Sequence, residues 1–141
     1  MCERATVRLD CRPESAAAGR HFVSEVVDQW LVPQQRAFDT RDDLRSITGE
    51  LVANAARFCS APMTLTVSVH RDRVDLAVTD DCPEPAVVGY AGPGAVRGRG
   101  LAIVAALSSS WGQTTFDGAS KAVWCVVALP AGAVRALECS D

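Results

Sequence analysis

The sequence predicts an α+β fold, a two-layer sandwich in which three helices cover one face of a mixed, mostly antiparallel sheet. Two kinds of pattern predict it. Segments that alternate apolar and polar residues are typical of strands with one covered face. Segments with apolar residues every three or four positions are typical of helices that bury one side. A single covered sheet is the simplest way to bury all of these apolar faces.

The N-terminal half predicts a strand at 5–10 and helices at about 13–31 and 40–58, with Pro33 ending the first helix. Apolar residues mark the expected covered side of each element. They are Val7 and Leu9 in the strand, Ala18, Phe22, Val26 and Trp30 (with Val23 and Val27 beside them) in the first helix, and Leu44, Ile47, Leu51, Ala55 and Phe58 in the second. The two helices follow each other directly, so we expect them to pack side by side.

The C-terminal half predicts a hairpin, a long loop, a short helix and two more strands. These elements are strands at 64–70 and 73–79, a helix at 101–107, and strands at 111–116 and 122–129. Between the hairpin and the helix, 80–97 is rich in proline and glycine and follows neither period. A loop of this length in a compact domain is usually functional or disordered.

Length and composition indicate one globular domain, 1–141, with its core at about 5–130. The net charge is 14 − 17 = −3, which argues against direct nucleic-acid binding because such binding needs a basic surface. The 48% apolar content excludes a disordered chain. The sequence contains no long apolar run without charges, so we expect no membrane-spanning helix. Charged residues interrupt the first thirty positions, so we expect no signal peptide and a cytoplasmic protein.

The cysteines show no metal-ligand spacing, and in a cytosolic chain we expect them to be free thiols. They are Cys2, Cys11, Cys59, Cys82, Cys125 and Cys139. Oxidation of Cys82 in the long loop, or its pairing with Cys2 or Cys11, is a further hypothesis. The simpler interpretation is that Cys82 is a small residue standing where a glycine could stand.

Glu50 and Asn54 are the first candidate site residues. They lie four positions apart on the second predicted helix, so they project from the same face, offset from the apolar stripe. A solvated helix edge is the plain interpretation. Asparagine nevertheless competes with the backbone for hydrogen bonds in a helix interior, so its presence calls for a reason.

Two further candidates flank the long loop. Asp80 ends a strand, where its carboxylate can accept from the amino group of a base, although it could simply start a turn. The segment Gly98-Arg99-Gly100 opens a helix, where free backbone N–H groups and the helix dipole attract anions. An ordinary loop-to-helix turn is the alternative for this segment.

Together these segments occur in an order that resembles the GHKL (histidine kinase-like, Bergerat) ATP-binding superfamily. The segment ELVANA at 50–55 resembles the N box of that superfamily. VTDDCP at 78–83 resembles its first glycine box, and GRGLAIV at 98–104 resembles its second glycine box. The short length and KAVW at 121–124 are similar to the anti-sigma-factor serine/threonine-protein kinases of that superfamily. The resemblance spans about 5–130 and implies the GHKL type of sandwich.

The resemblance implies roles for the candidate residues, with ATP and Mg²⁺ as cofactors. Asn54 would hold Mg²⁺, Asp80 would accept from the adenine amino group, and Glu50 would be the catalytic residue that orients or deprotonates the attacking hydroxyl. Residues 81–97 would form the ATP lid. The phosphates would be bound at the helix start by Gly98, Arg99, Gly100 and Leu101.

The function implied is an ATP-binding anti-sigma factor that phosphorylates an anti-anti-sigma partner and sequesters a sigma factor in transcription regulation, working as a cytoplasmic homodimer in a bacterium. The alternative is an ATP-dependent switch that binds partners without phosphotransfer. Three positions depart from the family pattern: Cys82-Pro83-Glu84 in the first box, Phe58 where a histidine is frequent, and Ala122 where a threonine is common. From the length we expect neither the dimerising hairpin of a histidine kinase nor a transducer domain.

Overall fold

The computed structural model describes residues 1–82, 99–135 and 139, and of Arg99 it describes the backbone only. Five strands and three helices make up these residues. In chain order they are β1 (Glu3–Leu9), α1 (Ser15–Asp28), α2 (Gln35–Ala56), β2 (Met63–Val69), β3 (Arg73–Asp80), α3 (Arg99–Leu107), β4 (Ser110–Phe116) and β5 (Ser120–Ala128). The α+β class and the two layers predicted from the sequence are confirmed.

The five strands form one sheet in the order β1-β2-β3-β5-β4, and every neighbouring pair is antiparallel. The sheet is therefore antiparallel throughout these strands rather than mixed. The connections explain this result. Helices α1 and α2 carry the chain back and forth once, so β2 must run opposite to β1. The single helix α3 makes β4 parallel to β3, and β5 lies between them, antiparallel to both.

Alternation in the strands gives the sheet one covered and one open face. The inner rows of paired residues on the covered face are apolar, as in the row Ala5, Val67, Leu76, Cys125 and Trp111. The matching row on the open face is Thr6, Thr66, Ala77, Trp124 and Gly112. Helix α2 lies in the middle of the second layer, between α1 and α3. Its buried side includes Leu44, Ile47, Leu51 and Val52.

Helix α2 begins at Gln35, five residues before the predicted start near 40. Gln34 is extended (φ −151°), and the helix starts immediately after it. Ala37 is buried in this added turn, so core packing extends the helix to the limit set by Pro33. In the described ranges, no helix has the length and apolar character that crossing a membrane requires.

Four of the six cysteines are paired, so the expectation of free thiols is wrong for them. Cys2 is bonded to Cys139, with Cα atoms 4.4 Å apart, and Cys11 to Cys59, with Cα atoms 5.9 Å apart. Cys11 follows β1 and Cys59 precedes β2, and the pairing of these strands brings the two thiols together. Pairing of Cys82 with Cys2 or Cys11 is likewise wrong, since both are already bonded. Cys82 and Cys125 are free.

Candidate functional site

One end of the sheet gathers the candidate residues. There β1 and β3 end, β2 and β5 begin, α2 ends and α3 begins. The last row on the covered face contains Leu9 paired with Met63 and Asp80 paired with Lys121. We call this part of the molecule the site end. Helices α2 and α3 are in contact, so polar groups on α2 can meet the start of α3.

Glu50 meets the start of α3 at Gly100. A Cβ atom on Gly100 would lie 2.7 Å from Glu50 Oε2 and 3.5 Å from Glu50 Cβ. Only a residue without a side chain allows the carboxylate this close to the helix backbone. The first turn of a helix carries unpaired N–H groups and the positive end of the dipole, so an anion here is favourable. The two segments predicted from the sequence therefore come together.

Asn54 lies one turn beyond Glu50 on α2, and its side chain is half-buried. Within 1–82 and 99–135, its amide makes no hydrogen bond to another residue. An amide oxygen is a ligand that Mg²⁺ accepts, and this ion takes few protein ligands and keeps several waters. Within the described ranges no three His, Cys, Asp or Glu side chains are grouped to hold a metal ion, so the predicted role of Asn54 depends on its amide chemistry alone.

Asp80 and Lys121 form a buried ion pair at the site end. Their side chains are 0% and 3% exposed. Lys121 Nζ donates to Asp80 Oδ1 at 2.9 Å, to Asp80 Oδ2 at 3.0 Å and to the carbonyl of Cys82 at 3.2 Å. The backbone N–H of Cys82 donates to Asp80 Oδ1 at 2.8 Å. The predicted adenine acceptor is thus an immobilised carboxylate beside a cation.

The next residue, Asp81, is tied to the loop before β2. The backbone N–H of Ser60 donates to Asp81 Oδ1 at 2.9 Å, and the Ser60 hydroxyl donates to Oδ2. These hydrogen bonds hold the pKa of the Asp81 carboxyl below its ordinary value, with the Ser60 hydroxyl as the largest cause. Together with the nearby disulfide Cys11–Cys59, they fix the chain where it leaves β3.

The remaining predicted site residues are only partly described. Leu101 is 1% exposed, so its side chain anchors α3 in the core and only its backbone is available to a ligand. Gly98 and the Arg99 side chain lie outside the described residues. The predicted lid, 81–97, also falls outside them except for Asp81 and Cys82.

A groove of about 620 Å³ lies on the outer side of the helix layer and reaches Glu50. Polar walls come from Arg20 on α1 and Arg45 on α2, and an apolar wall comes from Ile103 on α3. Arg20 lies over Gly49, with its Nη1 2.8 Å from the place of a Cβ atom. Glu50 therefore borders this groove as well as the start of α3.

Lys121 and Ser60 are the site residues that the sequence analysis missed. The segment 121–124 contributed only to the family resemblance, although one signal was present: Lys121 is the only lysine among 14 basic residues. Ser60 lies in a loop whose neighbours are set by tertiary structure alone. No protein-family model matches the chain, and no curated protein is significantly similar to it.

Proposed function

We propose that this protein binds Mg-ATP at the site end and is an anti-sigma factor and serine/threonine protein kinase. The observation that carries the proposal is the contact between Glu50 and Gly100. It joins the ExxxN segment of α2 to the glycine-containing start of α3 across 50 positions of sequence. In the GHKL superfamily that the motifs resemble, these two segments act on the same nucleotide.

In this proposal different site-end residues bind different parts of the nucleotide. Asp80 accepts from the adenine amino group, and the backbone at Gly100 donates to phosphate oxygens together with Gly98, Arg99 and Leu101. Asn54 would hold Mg²⁺ through its amide oxygen, and the ion would supply positive charge that neutralises the phosphates. Two observations support this assignment: the Asn54 amide has no hydrogen-bond partner among the described residues, and Gly100 lets Glu50 approach the start of α3.

Glu50 is the proposed catalytic residue. It takes the proton from a serine or threonine hydroxyl while the hydroxyl oxygen bonds to the γ-phosphorus and the β–γ bridging bond breaks. The products are the phosphorylated partner and ADP. The groove beside Arg20, Arg45 and Ile103 gives a protein hydroxyl a route to Glu50 from outside the helix layer.

The alternative is an ATP-dependent switch without phosphotransfer. The same contact favours it, because a Glu50 carboxylate that stabilises the start of α3 has a structural task and need not move a proton. The two functions share the nucleotide site and differ only in the role of Glu50. A substitution at Glu50 therefore separates them.

Nucleotide binding is tested first, by the thermal midpoint of the protein with ATP or GTP, each with and without Mg²⁺. We expect ATP to raise the midpoint more than GTP and Mg²⁺ to increase the rise. Asn54→Ala should remove the Mg²⁺-dependent part. Gln29→Ala, which changes an exposed amide at the end of α1, is the matched control. A midpoint that neither nucleotide moves at millimolar concentration contradicts the proposal.

Phosphotransfer is tested with γ-labelled ATP and candidate anti-anti-sigma proteins. Glu50→Gln should lower labelling about 10²- to 10⁴-fold, the contribution typical of a general base, while ATP still binds. Glu25→Gln changes an exposed carboxylate on α1 and should leave labelling unchanged. Labelling that persists in Glu50→Gln removes Glu50 from the chemistry, and absence of labelling by the wild type with every candidate favours the binding-only switch.

The proposal also includes a homodimer and a cytoplasmic location, where a sigma factor would be sequestered. Light scattering on the purified protein tests the dimer. Disulfides persist mainly in oxidising compartments, so the Cys2–Cys139 and Cys11–Cys59 bonds bear on the location. Counting free thiols in protein quenched directly in cell lysate shows whether both bonds exist in the cell.

A further inference from the structure

The buried cation at the site end differs in residue type from the other basic residues of the sequence. Of its 14 basic residues, 13 are arginine and one, Lys121, is lysine. That one lysine is also 3% exposed and paired with a carboxylate that is 0% exposed. Lysine is almost never fully buried unless it is paired. The position therefore selects a compact ammonium group in a protein that otherwise uses guanidinium groups.

The hydrogen bonds of the pair can be counted atom by atom. The ammonium has three N–H groups and three acceptors, namely both oxygens of Asp80 and the carbonyl of Cys82. An ionised carboxylate has about four acceptor positions. Lys121 occupies two of them and the N–H of Cys82 occupies a third, on Oδ1. Among the described residues, the fourth acceptor position, on Asp80 Oδ2, has no donor, and it is buried, because the side chain is 0% exposed.

We propose that Lys121 is a positioning residue that sets the base specificity of this site. It bonds to both oxygens of Asp80 and holds the carboxylate in one orientation, with the remaining acceptor position on Oδ2. Such a group accepts from the amino group at C6 of adenine and repels the carbonyl at the same place in guanine. The inference rests on the proposed ATP site and adds the residue that decides which purine enters it.

Lysine suits this task better than arginine. All three N–H groups of Lys121 are used within the pair and the Cys82 carbonyl, so none is left to donate to a guanine carbonyl. A guanidinium has five N–H groups in a fixed fork and would leave donors over. With lysine at this position, the cation has no spare N–H group that could donate to the guanine carbonyl.

Removing the cation should change the hydrogen bonding of Asp80 from accepting to donating. A buried carboxylate without a partner neutralises by taking up a proton. The protonated group can donate to a carbonyl and has lost part of its accepting capacity. Lys121→Met keeps the length of the side chain and removes the charge, so it should weaken ATP binding and improve GTP binding relative to ATP.

The experiment compares dissociation constants for ATP and GTP, by calorimetry, in four proteins: the wild type, Lys121→Met, Lys121→Arg and Arg8→Met. Arg8 is an exposed cation on the open face of β1, so its variant controls for lost charge. In Lys121→Met the preference for ATP over GTP should fall about 10- to 100-fold, the value of one hydrogen bond to a charged group. Lys121→Arg keeps a cation beside the carboxylate and should retain more of the preference than Lys121→Met.

The preference for ATP over GTP separates a specificity role from a structural one. A merely structural Lys121 would weaken both nucleotides alike and leave their ratio unchanged, which overturns the inference while the ATP site stands. If Lys121→Met does not fold, the double variant Asp80→Asn/Lys121→Met removes both charges, and it should bind ATP and GTP with similar affinity. A retained preference in that variant also overturns the inference. A wild type that binds neither nucleotide overturns the proposed function as well.

Discussion

The two ends of the covered sheet face treat charge in opposite ways. At the site end, the row containing Asp80 and Lys121 buries a carboxylate and an ammonium together. At the other end, which we call the far end, the last row contains Glu3 paired with Val69. Its only carboxylate is half-buried and accepts from the indole N–H of Trp30. Near the far end the salt bridge Arg73–Asp72 is exposed, and in His70–Asp75 the histidine side chain is still 12% exposed and the carboxylate 37%.

The two ends therefore differ in the desolvation free energy of their charged groups. An exposed ion pair contributes little and can be lost with little effect. A buried pair is expensive to desolvate, and a well-packed apolar pair of similar volume could replace it with no loss of stability. The far end needs only to close the sheet, which hydrogen bonds and a disulfide between the chain termini achieve. The site end keeps buried charge, which is consistent with a ligand-binding task.

Both ends carry a disulfide, and removing these bonds should have the largest effect on stability. The Cys2–Cys139 bond closes 137 residues and the Cys11–Cys59 bond closes 48. In the chain-entropy description, replacing the cysteines by serine lowers the free energy of unfolding by up to about 5 and 4 kcal/mol, respectively. Urea unfolding of the two double variants measures both values. A greater loss at the site end would mean that the bond there also maintains native contacts.

Thiol labelling checks the same bonds without mutation. In the native protein Cys82 should label, while burial raises the pKa of the Cys125 thiol to about 12 and should keep it unreactive. Unfolding without a reductant should add Cys125 alone. The other four thiols should require a reductant, and their labelling without one would contradict the paired state.

The second largest effect should come from breaking the buried pair. Lys121→Met leaves the Asp80 carboxylate buried without its partner, and we expect a loss of about 3–5 kcal/mol in the free energy of unfolding. Arg73→Met, near the far end, removes a cation that is 41% exposed and should cost less than about 1 kcal/mol. Urea unfolding at pH 7 measures both variants. Equal losses would remove the distinction between the two ends.

Gly100→Ala should affect function more than stability. The added methyl group would meet the end of the flexible Glu50 side chain, which can turn away, and alanine is the better helix former. We expect the free energy of unfolding to change by less than about 1 kcal/mol, while label transfer falls because Glu50 is displaced. In a Glu50→Ala background Gly100→Ala should have no further effect on transfer, and additive losses would argue that the two residues act separately.

The smallest effect concerns acid stability at the site end. The pKa of Asp81 is lowered in the folded protein, so its hydrogen bonds with Ser60 stabilise the fold fully above the ordinary aspartate value of 3.8. That contribution is lost as the pH falls below this value and through the lower folded pKa. Ser60→Ala should therefore destabilise the protein at pH 6 and approach the wild type near pH 2. A difference that stays constant between these pH values would assign the effect to packing instead.

The sequence predicted the elements well where one period persists over several residues. The hairpin of β2 and β3 alternates cleanly, and its predicted strands agree with the structure within one residue. Helix α2 shows where local reasoning ends, because no residue between Pro33 and 40 marks the helix start, and burial of Ala37 decides it. The cysteine pairing failed for a similar reason. Cys11 and Cys59 are neighbours only because β1 pairs with β2.

By itself, the sequence determined the covered side of the strands and most of that of α2, and hence the class of fold, because alternation and helical periodicity are local properties of the chain. It was wrong for part of α1, where Ala18 is exposed while Gly19 and Val23 are buried, and for Phe58, which is 57% exposed beyond the end of α2. It also determined that Glu50 and Asn54 share one face of α2. Only the tertiary structure decided that Glu50 meets Gly100 and that Asp80 is held by Lys121. Such contacts depend on strand order and register, which are set by the packing of the whole sheet against its helices.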